Sequence, residues 1–155
     1  MPRSMIGAYG HDDRVDAYPA LMAEIATKNP AFTTVCVLTE LKNVILFDGV
    51  QVPHYNYVGD SILGYKAHMG AGSITSNVRS DKALVKVHAE DGDIETGLKK
   101  FGAMIGDCVE VGCGSVLNPG PVIGKNSSVY PLSSVRTAVD ADSIYKQQGE
   151  VAKRQ

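Results

Sequence analysis

Within PHYNYVGDSILGYKAHMGAGSITSN, the stretch from Pro53 to Asn77, two side chains are of the kind that moves protons and holds polar substrates. His54 carries an imidazole, the one side chain whose ordinary pKa lies near neutrality and so suits a general base. Tyr57 follows three residues later and leads into a Val58-Gly59-Asp60 turn. Alone, a histidine is ordinarily a surface or structural residue. What singles out His54 is the run beside it, which repeats every six residues and closes on Gly70-Ala71-Gly72-Ser73. Cys36, Cys108 and Cys113 form no CxxC pair, and their odd number argues against a disulfide framework and for reduced thiols in a cytoplasmic setting.

The element that must position these residues is the repeat. Leu46, Val52 and Val58 are six apart; after a step of five come Leu63, Met69 and Thr75; after a break come Ile105, Val111, Leu117, Ile123, Val129 and Val135. Four residues beyond the last six stand Val109, Ser115, Pro121, Ser127, Ser133 and Val139. Neither helical spacing nor strict alternation accounts for this. An aliphatic residue at every sixth position with a small one four later predicts an all-β solenoid, a left-handed parallel β-helix, with three hexads to each triangular coil. Fewer than four such coils are expected, with exposed ends and faces that call for self-association.

Around the repeat, the sequence predicts two segments, 1–39 and 40–155. Residues 1–39 do not repeat: ALMAEIATK reads as a short helix over 19–28 with an apolar side (Leu21, Met22, Ile25), and FTTVCVL as a strand. Residues 77–104 form an inserted loop with ALVKV as a hairpin strand, and the tail 140–155 reads as leaving the register in a short C-terminal helix capped by Asp142 or Ser143. The chain of 155 residues has 44% hydrophobic and 21% charged residues and a net charge of -2, which excludes an electrostatic case for nucleic acid or an anionic membrane. No apolar run approaches the roughly 20 residues a bilayer requires, and no secretory leader is read at the start.

Two resemblances follow. Gly10-His11-Asp12-Asp13-Arg14-Val15, with Ala17-Tyr18, resembles a segment of the aspartyl aminopeptidase family of zinc peptidases, in which an aspartate at the position of Asp12 bridges two zinc ions. The glutamates that complete that site are missing, because Leu38-Thr39 runs into Glu40-Leu41-Lys42-Asn43, so no metal is expected. The resemblance implies a joint between two unrelated proteins near residue 39.

HYNYVGD followed by LG-x4-MGAGSITSN, with KFGAMIGD after the loop, resembles the acetyltransferase half of the bifunctional glucosamine-1-phosphate acetyltransferase/N-acetylglucosamine-1-phosphate uridyltransferase family, over residues 40–148. That resemblance implies an acetyl-CoA-dependent N-acetyltransferase of sugar-nucleotide biosynthesis, acting on an amino-sugar phosphate as a homotrimer without a metal. It implies His54 as the base, Lys42, Tyr57, Asn77 and Lys86 as acceptor contacts, and Ala71 as an N–H donor beside the thioester. Charge alone suggests Lys125 or Lys146 for the CoA pyrophosphate. A family asparagine falls at His68, a phosphate-gripping arginine from an earlier coil has no counterpart, and no nucleotidyltransferase domain is read here, so uridylyl transfer is not expected. The alternative is a non-catalytic trimeric scaffold or a degenerate family member. A metal-dependent hydratase of the same fold is disfavoured, since His54 and His68 are 14 apart, not one 18-residue coil, and His88 lies in the loop.

Overall fold

The computed structural model describes residues 39–89, 92–146 and 151–153, together with Met22 and Ala26, which are helical. Asp12, His11, Cys36 and the strand expected over 32–38 lie outside the described residues, as do the other residues of the helix expected over 19–28.

The solenoid begins with β1 (Glu40–Lys42) and β2 (Ile45–Leu46). The next coil is β3 (Tyr57–Gly59), β4 (Ile62–Leu63) and β5 (His68–Met69). A third starts at β6 (Ile74–Thr75), leaves the stack for the hairpin β7 (Lys86–Ala89) and β8 (Gly92–Glu95), and resumes at β9 (Met104–Ile105) and β10 (Glu110–Val111). Above it lie β11 (Val116–Leu117), β12 (Val122–Ile123) and β13 (Ser128–Val129), then β14 (Ser134–Val135), β15 (Ser143–Tyr145) and β16 (Val151–Lys153). The strands stack into three sheets, β1-β3-β6-β11-β14, β2-β4-β9-β12 and β5-β10-β13-β15-β16. All pairings in them are parallel except β15 with β16, and the fold is a left-handed parallel β-helix.

The hexads set the core. Leu63, Met69, Ile105, Val111, Leu117, Ile123, Val129 and Val135 are all buried, each stacked on its counterpart in the next coil. Burying each such aliphatic contributes roughly 1.5–3 kcal/mol. The small residues four positions on, Ser115, Ser127 and Ser133 among them, are buried too, where the coil turns too sharply for a larger side chain. Thr75 occupies an aliphatic position, and its hydroxyl oxygen accepts hydrogen bonds from the Gly59 N–H (3.0 Å) and the Ser61 hydroxyl (2.9 Å). A buried polar group with partners is tolerated. Turn residues with positive φ recur every six positions, at Asp60, Lys66 and Gly72 and again at Cys108, Gly114, Gly120, Asn126 and Leu132.

Three expectations are corrected. The tail holds no helix in its described part. Ser143–Tyr145 extends the stack, Ile144 pairing with Ser128 and Tyr145 with Val129, and Val151–Lys153 returns antiparallel to it. Neither proposed cap is in position to start a helix: Asp142 has φ +55, not the extended conformation of an N-cap, and the buried Ser143 hydroxyl donates to Ala141 O (3.1 Å). The solenoid is therefore longer than four coils, because β1–β2 and β14–β15 each add to the stack. Leu46, read as an inward hexad residue, is 41% exposed: it lies in the first coil, with a described coil on one side only.

Candidate functional site

The first sheet ends along one edge in a polar cluster. Lys42 closes β1 opposite Gly59 of β3, and its carbonyl accepts the Asp60 N–H at 2.8 Å. Asp60 sits at φ +45 and receives two side-chain amides, Asn43 Nδ2 at 3.1 Å and Asn77 Nδ2 at 2.5 Å, one on each carboxylate oxygen. Asn77, buried one coil above, also hydrogen-bonds the phenol oxygen of Tyr57. Gly59 makes this contact possible, since a Cβ there would lie 2.6 Å from the Tyr57 hydroxyl and 2.7 Å from Asn77 Nδ2. Burial, with the charges of Glu40 and Asp60, pushes the Tyr57 phenol up from its ordinary pKa, against the Asn77 bond and the Lys42 ammonium. Tyr57 thus keeps its proton at neutral pH as a potential donor. The cluster brings Lys42, Tyr57 and Asn77 together.

His54 lies on the adjoining corner, exposed, just ahead of the same sheet. Its backbone is fixed twice: the N–H donates to Asn56 Oδ1 at 3.0 Å, and the carbonyl accepts from the Gly72 N–H one coil above, also at 3.0 Å. That second bond stacks His54 under the Gly70-Ala71-Gly72 turn. Gly72, at φ +67, has the Tyr55 ring against it, where a Cβ would approach to 2.7 Å. Asn56 is buried and donates to Gly70 O (2.7 Å), Ser73 Oγ (3.0 Å) and Ser73 O (3.2 Å), so one amide ties the His54 backbone to both ends of the Gly-Ala-Gly turn. Sequence reasoning missed Asn56. The signal was present: it stands four residues after Val52, where the hexad takes a small residue, and an amide in that corner requires hydrogen-bond partners.

No protein-family profile matches the chain. A bifunctional sugar-1-phosphate nucleotidylyltransferase/acetyltransferase of Sulfurisphaera tokodaii is 35% identical over 107 residues, covering 69% of this chain and 27% of that protein. The bifunctional protein GlmU of Methanococcus maripaludis is 36% identical over 109 residues, covering 70% and 26%. The solenoid is homologous to the acetyltransferase-like region of GlmU-type proteins. The chain spans about a quarter of the length of these relatives. Among solved structures, the polySia-specific acetyltransferase NeuO is matched with TM-score 0.46 and 15% identity, over 72% of this chain and 61% of that one.

Other residues, suggested by the GlmU-type resemblance or, for Lys125 and Lys146, by charge alone, are dispersed. Lys86 lies in the hairpin, its ammonium 2.8 Å from Glu95. At the base of the loop, Phe101 N–H donates to Asn77 O (2.9 Å) and Lys100 is bridged to Val78, so Lys100 stands beside Asn77, a placement the sequence reading did not anticipate. Ala71 is half-buried, and its carbonyl accepts from the Gly114 N–H at 2.8 Å. Lys146 follows β15 on the corner column that carries His54 and Ala71, whereas Lys125 is exposed on the column after the second sheet, in line with Tyr65 and Asp107. His68 faces outward from β5 and pairs with Glu110 at 2.7 Å, away from Tyr57. Among the described residues no group of three or more His, Cys, Asp or Glu is arranged to hold a metal ion, and no helix is long and apolar enough to cross a membrane.

Proposed function

We propose that this chain is an acetyl-CoA-dependent N-acetyltransferase whose acceptor is an amino-sugar phosphate of the glucosamine-1-phosphate kind, working as a cytoplasmic homotrimer. The observation that carries this reading is the placement of His54, held by Asn56 one coil beneath the Gly-Ala-Gly turn, beside a sheet edge where Lys42, Tyr57 and Asn77 converge. An amine attacks a thioester only through its lone pair. In this reading the His54 imidazole takes the proton from the amine as nitrogen bonds to the acetyl carbon, the C–S bond then breaks, and the CoA thiolate leaves and is protonated. The Ala71 N–H faces the developing oxyanion. Lys42 offsets the phosphate charge, with Lys86 on the hairpin as a further contact, and the protonated Tyr57 and the Asn77 amide hold sugar oxygens. CoA follows the corner column of Ala71 towards Lys146; Lys125, on another corner, is the weaker candidate for the pyrophosphate. The transfer requires no metal.

The GlmU-type homology supports the sugar-phosphate acceptor. One observation favours the rival reading, a non-catalytic trimeric scaffold: among the described residues no hydrogen bond orients the His54 imidazole, while Tyr55, Leu98 and Leu132 expose apolar surface. A single variant series separates the two. His54→Ala should leave fold and acetyl-CoA affinity unchanged while acetyl transfer to glucosamine-1-phosphate falls by about 10²-fold or more. Lys42→Ala should raise the acceptor KM more than it lowers kcat, because a phosphate contact made equally in ground and transition states is uniform binding. No transfer to any amino-sugar phosphate, or full rate in His54→Ala, hands the chain to the scaffold reading.

A further inference from the structure

A groove of about 310 Å³ lies where the hairpin folds back over the upper coils, and the GlmU-type reading does not use it. Ser76 and Val78 form one wall, and Asn77 between them is turned away, buried and bonded to Asp60 in the coil below. Arg79 and Asp81 continue that wall, His88 comes from β7, and Asn118 and Arg136 from the ends of β11 and β14. The hairpin is held over the coils by the His88 N–H, which donates to Gly120 O at 3.0 Å.

We propose that this groove binds a phosphate monoester carried on a hydroxyl-bearing body, at a site separate from the Lys42–Tyr57–Asn77 cluster. Its charges are already arranged for an anion. Arg79 grips Asp81 through two bonds, at 3.0 and 2.6 Å, so that carboxylate is neutralised and does not repel a ligand. Asp93 is likewise engaged, by His88 Nδ1 at 2.7 Å, which fixes the imidazole and leaves Nε2 as its free nitrogen. Arg136 has no ion-pair partner among the described residues, and its guanidinium offers a planar fork of donors matched to phosphate oxygens. Asn118 spends its Nδ2 on Ser134 Oγ and Val135 O, both at 3.0 Å, so its Oδ1 remains to accept from a ligand hydroxyl. The volume is at the lower end of small-ligand sites, larger than a bare phosphate needs and suited to a monosaccharide phosphate.

The test is calorimetric binding of inorganic phosphate, glucose 6-phosphate and gluconate to the full chain, with Arg136→Gln and Lys42→Ala beside the native protein. Arg136 is exposed and outside the core, so Arg136→Gln should melt as the native protein does. The expected result is that phosphate and glucose 6-phosphate bind, that Arg136→Gln weakens both at least about 10-fold, and that Lys42→Ala leaves a glucose 6-phosphate site of native affinity. Gluconate, a hydroxyl-bearing body with one carboxylate charge in place of a phosphate, should bind more weakly. The proposal is overturned if neither phosphate compound binds, if Arg136→Gln binds them as the native protein does, if Lys42→Ala abolishes binding, or if gluconate matches glucose 6-phosphate. Because the readout is binding rather than acetyl transfer, it stands or falls apart from the role of His54.

Discussion

Asn56 is buried and carries no charge, yet it fixes the backbone on which the exposed imidazole is mounted. Replacing it with alanine strips the buried Gly70 carbonyl and Ser73 of a donor, and should cost about 1–3 kcal/mol of stability, read from chemical denaturation. Asn56→Asp should cost more, since a carboxylate accepts from the His54 N–H but repels the Gly70 and Ser73 oxygens at 2.7–3.2 Å. A variant of either kind with native stability would remove Asn56 from its positioning role. Asp81 presents a second residue-scale case. Its bonds from Arg79, and secondarily from the Ala83 N–H, hold its carboxyl down to about 2. A depressed folded-state pKa means the pairing is fully in force above the ordinary aspartate value of about 3.9 and is lost as pH falls through about 2. A carboxyl NMR titration should place the Asp81 midpoint near that lower value, and Arg79→Gln should return it towards the ordinary one; an unshifted midpoint in the native protein would contradict the bidentate pairing.

At the scale of the element, every coil must turn three corners, and at most of the described corners one residue adopts a conformation that L-amino acids ordinarily avoid. Asn43, Asp60, Asn126 and Asp142 suit that conformation and form side-chain bridges from coil to coil, Asn43 to Asp60 and Asn126 to Asp142. Leu132 does not suit it: at φ +58 it is 74% exposed, with little burial to offset the strain. Leu132→Asn should therefore raise the melting temperature, whereas Leu132→Val, β-branched and worse in this region, should lower it. If both variants melt alike, corner strain does not decide this position. The loop is the other element with consequences. Ile62 pairs with Met104, 42 residues on, where Met104 pairs with Val122 only 18 on, so 24 extra residues leave the coil and return without disturbing the stack. That detour carries both Lys86 and the hairpin wall of the groove.

For the whole molecule, stability is distributed along a one-dimensional stack in which each coil covers its neighbours. Val111 lies in the middle, under Val129 and over Met69. Val111→Asp would bury an unpaired carboxylate in the prism, and such a group finds neither water nor partner there. The variant should not unfold cooperatively near the native temperature, and circular dichroism should register lost β structure. A soluble Asp variant melting cooperatively at the native temperature would show that the prism is wetter or looser than described.

The periodic part of this architecture was legible in the sequence, because a β-helix asks the same question of every hexad. An aliphatic residue faces the prism and a small residue the corner wherever the chain turns, so Leu63 through Val135 and the corner serines are identified by local spacing alone. Which residues become vertical neighbours is a different matter. Pairing offsets are 17 residues from β1 to β3, 18 from β10 to β13 and 16 from β13 to β15, and only the stacked coils select among them. Those offsets bring Lys42 beneath Gly59, set Asn77 over Asp60, separate Lys125 from Lys146, and place Tyr145 on Val129 so that the tail extends the sheet as a strand. A short polar segment such as DADSIYK carries a helix start and a strand equally well; the unpaired edge of β13 supplies the hydrogen bonds that make it a strand.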